Sequence, residues 1–333
     1  MNRFLFLLSA FFFVSAVTGA AQYMPDVLGY DYEQQTFNMA DDYEGKVTCT
    51  LVRKRLMPDT PQAVLYIHGY NDYFFQAQLG DSVQAYGYNF YALDLRKHGR
   101  SILPHQEVFF CKQLDEYFAD IDSALVAIRA EGHAKIILMA HSTGGLIAPL
   151  YLNTRGDSVA DGMILNSPFM DMNMNWFMGK IMIPVVSFIG KIFPNMKIQG
   201  YGLASYAKSL LRDYQGEWEF DTNWKRMYGH PKKAGWIHAI HSGHKKVQKG
   251  LNLNCPILVL SSDESFPETE EWHEKYQTSD IILDVNDIQN HGMRLGANVT
   301  LETISNGMHD LILSQEPHRT EVYRKIKHWF ELW

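Results

Sequence analysis

Short, unbroken apolar runs punctuate this chain at residues 63–67, 89–93, 135–139, 162–165, 257–260 and 299–304, most of them closed off by Gly, Pro or a polar turn. A run of that length without polar alternation predicts a strand covered on both faces. Between most of them apolar residues return at three- and four-residue spacing, as over 114–129, which predicts helices. Strand and helix in alternation imply an α/β fold: a mainly parallel central sheet with helices on both faces. Ahead of the first run, residues 36–55 read as two strands joined by the charged turn Asp41-Asp42-Tyr43-Glu44-Gly45, an antiparallel opening.

One interval breaks the alternation. About 85 residues separate Ser167-Pro168 from Cys255-Pro256, far more than a crossover needs, and they are rich in Met, Trp, Phe and Tyr. An inserted helical cap over 169–254 is the simplest account, with the core divided between 21–168 and 255–333. Its first part, Phe169-Met170-Asp171-Met172-Asn173-Met174-Asn175-Trp176-Phe177-Met178, carries adaptable apolar side chains that either line a tunnel for an acyl chain or pack the cap onto the body. Pro184 and Pro194 are expected to break the apolar stretch 181–193. Lys180 and Lys191 flank it, a pattern compatible with weak contact between the cap and a membrane surface.

The first residues look like a leader. Arg3 is followed by apolar residues 4–17 and then by the small residues Thr18-Gly19-Ala20-Ala21. About fourteen apolar residues fall short of the roughly 20 that span a bilayer, so residues 1–20 are expected to be a signal peptide rather than an anchor. The expectation is export to the periplasm, the envelope or the medium. No Cys adjoins the cleavage region, which argues against a lipid anchor.

Composition narrows the class further. With 46% hydrophobic and 20% charged residues the body can bury a large core. A net charge of −7 without a basic block excludes a polyanion such as nucleic acid as a natural partner. Cys49, Cys111 and Cys255 are odd in number and widely spaced, as expected of buried thiols with at most one disulfide.

Candidate chemistry centres on Ala140-His141-Ser142-Thr143-Gly144-Gly145, between the strand-like 135–139 run and a helix from Leu146. A Ser on a sharp strand-to-helix turn is held in strained backbone with its hydroxyl exposed above the sheet, and small residues two before and two after make room for neighbouring backbone. Ala140 stands where the G-x-S-x-G pattern has its first Gly. A helix N-cap would explain a Ser here equally simply; the strand before and the helix after favour a nucleophile. Its oxyanion donors would be the backbone N–H of Thr143 and that of Tyr70, in the His68-Gly69-Tyr70 loop after the 63–67 strand.

The base should come late in the chain. Among fourteen histidines, His309 lies in the loop Ser305-Asn306-Gly307-Met308-His309-Asp310 that leaves the last predicted strand. His141 adjoins Ser142 and cannot fold back to serve it, His68 belongs to the oxyanion loop, and His318 and His328 fall on a charged final helix, where solvation is expected. His238, His241 and His244 recur every three residues, but that spacing drifts around a helix and no acid or Cys nearby in sequence completes a ligand set, so they are expected to be solvated and no metal is assigned. Gly99 is taken as a turn residue, since no phosphate-loop pattern surrounds it. For the acid, Asp263 directly follows the 257–260 strand, while Asp280 and Asp284 precede a helix that starts near Val285; spacing leaves all three open.

Taken together, His68-Gly69, Asp94-Leu95-Arg96-Lys97-His98-Gly99-Arg100-Ser101, the Ala140 to Gly145 segment and Gly307-Met308-His309-Asp310 resemble the serine aminopeptidase S33, or monoacylglycerol-lipase-like, branch of the α/β-hydrolases. The resemblance spans most of the chain after the leader, the cap only loosely. It implies the α/β-hydrolase fold and a serine hydrolase acting on carboxylic esters with an apolar acyl group, monoacylglycerol or lysophospholipid among them, with no cofactor. Aminopeptidase activity is the alternative within that chemistry, and a non-catalytic binding protein is the alternative outside it. The resemblance also favours Asp280 as the acid, because Asp280-Ile281-Ile282-Leu283-Asp284 fits the family's Asp-x-apolar-apolar-Asp/Pro stretch before a helix. That choice requires an insertion over 264–279.

Overall fold

A computed structural model of the chain describes residues 22–333; the leader expected at 1–20 lies outside the described residues. In chain order the strands are β1 Met24–Asp26, β2 Gly29–Asp42, β3 Gly45–Lys54, β4 Gln62–Ile67, β5 Asn89–Asp94, β6 Lys135–His141, β7 Gly162–Asn166, β8 Lys197–Gln199, β9 Lys232–Lys233, β10 Ile257–Ser262 and β11 Val299–Ile304. The α-helices are α1 Ala77–Ala85, α2 Phe118–Ala130, α3 Thr143–Arg155, α4 Ile183–Ile192, α5 Ser205–Leu210, α6 Ala234–Gln248, α7 Val285–Gly292 and α8 His318–Leu332. All six apolar runs are strands.

One nine-stranded sheet organises the molecule in the order β1-β2-β3-β5-β4-β6-β7-β10-β11. From β1 to β5 the pairings are antiparallel. Every pairing from β5 across β4, β6, β7 and β10 to β11 is parallel. The chain starts in the middle of the parallel part at β4, moves one way to β5, then returns across β6 to β11. Strand β4 shows why its sequence lacks alternation: Ala63, Leu65 and Ile67 enter one hydrophobic cluster while Val64 and Tyr66 enter the other, so both faces are dry. The first cluster also takes in buried side chains of α2, α3, α6 and α7, the second those of α1 and α8. The hairpin of β2 and β3 is tied to the body by Lys97, whose fully buried ammonium lies 2.7 Å from both Asp42 and Glu44.

Within residues 169–254 a five-residue π turn, Met178–Met182, runs straight into α4. Pro184 therefore does not break this stretch as expected. It sits in the first turn of α4 straight after the π turn, a bulge that accommodates the missing N–H within a continuous helical run, and Pro194 follows the helix end. The small β8–β9 pair and α5 complete the segment. Helix α6 packs on α4 and joins the segment to the core: Gly243 lets it approach so closely that a Cβ there would lie 2.6 Å from Leu114, 3.2 Å from Leu150 and 3.3 Å from Leu146. All three cysteines are buried free thiols.

Candidate active site

Strand β6 ends at His141 and α3 begins at Thr143, so the turn between them is Ser142 alone. Its backbone is strained, with φ 51° and ψ −115°. The strain is held from both sides: Ser142 N–H donates to Asn166 O at 3.1 Å, and Ser142 O accepts from Phe169 N–H at 2.9 Å. The small residues are explained by backbone pressing on them. A Cβ on Gly144 would lie 2.5 Å from His68 O, and one on Gly145 would lie 2.7 Å from Pro168. Ala140, fully buried, keeps its methyl within the first core cluster.

The loop after β11 brings His309 to Ser142. His309 Nε2 is 3.0 Å from Ser142 Oγ, and His309 Nδ1 is 2.9 Å from Asp280 Oδ2. The carboxylate can only accept from Nδ1–H, which leaves the Nε2 lone pair facing the serine hydroxyl. Asp280 is fully buried and its other oxygen, Oδ1, accepts the backbone N–H groups of Ile282 and Leu283 at 2.9 and 2.8 Å. Of the competing acids, Asp263 is exposed and accepts Asn306 N–H at 2.9 Å, and Asp284 caps α7 by accepting Asn286 N–H. The 264–279 insertion leaves and returns to one place: Asp280 N–H donates to Glu264 O and Phe266 N–H donates to Asp280 O. It displaces the acid along the chain without displacing it in space.

Tyr70 and Thr143 line one cavity of about 670 Å³ together with Ser142 and His309. Thr143 opens α3, where the first N–H groups have no partner within the helix. The Tyr70 loop is pinned beneath by His68. Its Nε2 accepts Leu95 N–H at 3.1 Å, so Nδ1 carries the proton toward Gly69 O at 2.8 Å, and burial pushes its pKa down, keeping it neutral. Gly69 presses on Ser142, since a Cβ there would meet Ser142 Cβ at 3.1 Å.

A family model described as serine aminopeptidase, S33, matches residues 58–316. The chain belongs to this family. Solved structures agree on the α/β-hydrolase fold. A soluble variant of monoglyceride lipase from Saccharomyces cerevisiae, in complex with a substrate analog, is 18% identical, covers 94% of this chain and 98% of its own, and superposes with a TM-score of 0.66. The monoacylglycerol lipase of Paleococcus ferrophilus is 17% identical, with coverage of 90% and 98% and a TM-score of 0.59. Est1E from Butyrivibrio proteoclasticus with bound ferulic acid is 14% identical, with coverage of 94% and 98% and a TM-score of 0.52. No curated protein matches the sequence. This S33-family chain is therefore an α/β-hydrolase by family and fold.

Sequence inspection overlooked a second buried group beside the first. Asp310 accepts Asn166 Nδ2 at 2.7 Å and Gln76 Nε2 at 3.3 Å, while Asn166 Oδ1 accepts Leu311 N–H, which anchors the His309 loop to the end of β7. His141 lies 3.6 Å from Asp72 and 3.9 Å from Asp310, and its ring is 4.9 Å from that of His309. Lys225, from the long interval between β7 and β10, closes the group with its Nζ 2.8 Å from Asp72. A polar residue at the end of an apolar strand is a signal that could have pointed to Asn166. Nothing in the sequence links Lys225 to Asp72. The histidine triplet is not uniformly solvated as expected: His244 is 1% exposed, with Nε2 3.0 Å from Phe169 O, and His238 Nδ1 bonds Ser187 Oγ at 3.0 Å. The amphipathic helix α6 buries one edge of the triplet in its packed face.

Proposed function

We propose that the chain is a serine hydrolase that cleaves carboxylic esters with an apolar acyl group, of the monoacylglycerol or lysophospholipid kind, through Ser142, His309 and Asp280. The observation that carries this is the continuous relay Ser142 Oγ, His309 Nε2, His309 Nδ1, Asp280 Oδ2 with links of 3.0 and 2.9 Å. Ser142 Oγ attacks the ester carbonyl as its proton passes to His309 Nε2, and Asp280 holds the imidazolium that forms. The N–H groups of Tyr70 and Thr143 receive the oxyanion. His309 then returns the proton to the departing alcohol, leaving an acyl-serine. Water, deprotonated by the same nitrogen, releases the acid and restores the hydroxyl.

The apolar acyl group is favoured by the cavity wall, where Phe169, Met172, Met174, Leu203, Trp236 and Ile281 contribute. We read residues 169–254 as a cap over this cavity. An aminopeptidase would need net negative charge for a substrate ammonium; Glu268 and Asp284 line the cavity, but so do Lys225, Arg226 and Lys232. Trp176, Phe188 and Tyr201 are 71%, 66% and 69% exposed, a wide apolar surface that suits contact with a membrane or lipid aggregate holding the substrate. Export by a cleaved leader would put the enzyme where such lipids are met.

A panel of p-nitrophenyl esters from acetate to palmitate, run beside aminoacyl anilides, tests the substrate class. Faster cleavage of longer acyl esters than of any anilide is expected, and the reverse order would transfer the chain to the peptidases. Labelling by a fluorophosphonate should require Ser142; equal labelling of Ser142→Ala, or none of the wild type, would remove the serine mechanism and leave a binding protein.

A further inference from the structure

Away from the Ser142 cavity, three segments distant in sequence converge on a mixed histidine and carboxylate group. Asp171 follows the exit of β7, and Asp287 and His291 stand four residues apart on one face of α7. One ligand atom from each of these three lies within 4.8 Å of the others, and all three are half-buried. From α6, His241 and His244 stand close enough to feel the Asp171 charge, and His244 also feels His291.

The imidazoles supply the independent observation. His244 is 1% exposed, and its Nε2, facing the Phe169 carbonyl at 3.0 Å, must carry the ring proton. Its Nδ1 is thereby a bare lone pair, buried, with no hydrogen-bond partner among the described residues. His241 Nε2 and His291 Nδ1 are likewise buried and without a hydrogen-bond partner among the described residues. The comparable Asp72, His141 and Asp310 group differs here, because the Lys225 ammonium already occupies it.

We propose that Asp171, Asp287 and His291 bind one divalent transition-metal ion, Zn²⁺ by the chemistry of the donors, with solvent completing the coordination. Carboxylate oxygen with imidazole nitrogen is a zinc donor set, and an all-oxygen ion such as Ca²⁺ or Mg²⁺ would leave the imidazoles unused. The proposed ligands do not line the Ser142 cavity, although Met172 and Asp284, beside them in sequence, do. Bound there, the ion would tie the exit of β7 to α7, as a structural clamp independent of the ester chemistry.

Calorimetric titration of the EDTA-treated full chain with ZnCl₂ tests this. One Zn²⁺ per chain is expected, with a melting temperature that rises on zinc addition. Asp287→Asn and His291→Ala should each weaken binding by about tenfold to 100-fold, the range seen even for the partners that orient metal ligands. His238→Ala, on α6 and bonded to Ser187, should bind as the wild type does. Cobalt substitution reads ligation without any variant: visible absorption of a four-coordinate ion is expected. Absence of saturable zinc binding, equal preference for Ca²⁺, or equal losses in His238→Ala and His291→Ala would each overturn the site.

Discussion

Two imidazoles stand 4.9 Å apart at the end of the same sheet, and among the described residues only His309 has both ring nitrogens hydrogen-bonded. His309 has one carboxylate at hydrogen-bond distance on Nδ1 and one hydroxyl on Nε2. His141 faces two carboxylates at 3.6 and 3.9 Å, beyond hydrogen-bond range, and neither ring nitrogen has a hydrogen-bond partner among the described residues. Charge surrounds both rings, so charge does not distinguish them. Direction does: His309 has an acceptor behind it and a donor before it, whereas His141 sits in a balanced set with Asp72, Asp310 and Lys225. A base is an imidazole whose tautomer is fixed and whose lone pair has somewhere to go.

The sharpest way to break this contrast is to remove each ring. His309→Ala and Ser142→Ala should each lower kcat for a p-nitrophenyl ester by about 10⁶-fold, the scale seen when such a relay loses its base or nucleophile. His141→Ala should leave activity within about tenfold of wild type. Comparable losses from His309→Ala and His141→Ala would mean that the relay is not assembled as drawn. Next in size, Asp280→Asn should cost about 10⁴-fold in kcat by favouring the wrong tautomer, and Asp263→Asn should change it less than about twofold. A large loss from Asp263→Asn would move the acid to the end of β10.

The third test reaches the His141 side. Lys225 and Asp72 are buried partners with their side chains 5% and 1% exposed. Burial alone would raise the Asp72 pKa, but Lys225, with help from His141, holds it well below the usual carboxylate range. A depressed carboxylate contributes stability above its unfolded pKa and loses it as pH falls. Lys225→Met should therefore destabilise by about 3–5 kcal/mol at neutral pH, because Asp72 stays buried without its ammonium. The Lys225→Met, Asp72→Asn pair should recover most of that loss in urea unfolding. A double variant as unstable as the single would show that the pair contributes nothing jointly.

The same contrast explains what the sequence disclosed. Ser142, Thr143 and Gly144 sit on one strand-to-helix turn, and His309 follows the last strand, so chain order and apolar spacing locate both without coordinates. Asp280 needed more, because residues 264–279 separate it from β10 and spacing left three acids open; only the resemblance of the stretch after it to the family's pattern favoured it. Lys225 and Asp72 are 153 residues apart, and no periodicity encodes a contact between a loop behind β4 and a segment beyond β7. Pro184 misled for a local reason: proline breaks a regular helix interior but is accommodated after a π turn, and the sequence does not say where that turn lies. His244 misled because three-residue spacing was judged against solvent, while α6 turns that edge toward Phe169.

The smallest effect separates the rings by their protons. Burial would lower the His141 pKa, but Asp310 and Asp72 more than offset it, so the folded value lies above the ordinary one. Lys225 opposes that rise, and His68 and His309 are the other imidazoles nearby. A raised histidine contributes stability that is complete below the unfolded pKa of about 6.5 and is lost as pH climbs through the folded value. His141→Gln lacks that contribution at every pH. Urea unfolding of both proteins from pH 5 to 9 should show a gap between them that is widest at the acid end and narrows toward the alkaline end. A gap of constant width would mean that His141 does not gain a proton on folding, and the two rings would then differ in hydrogen bonding alone.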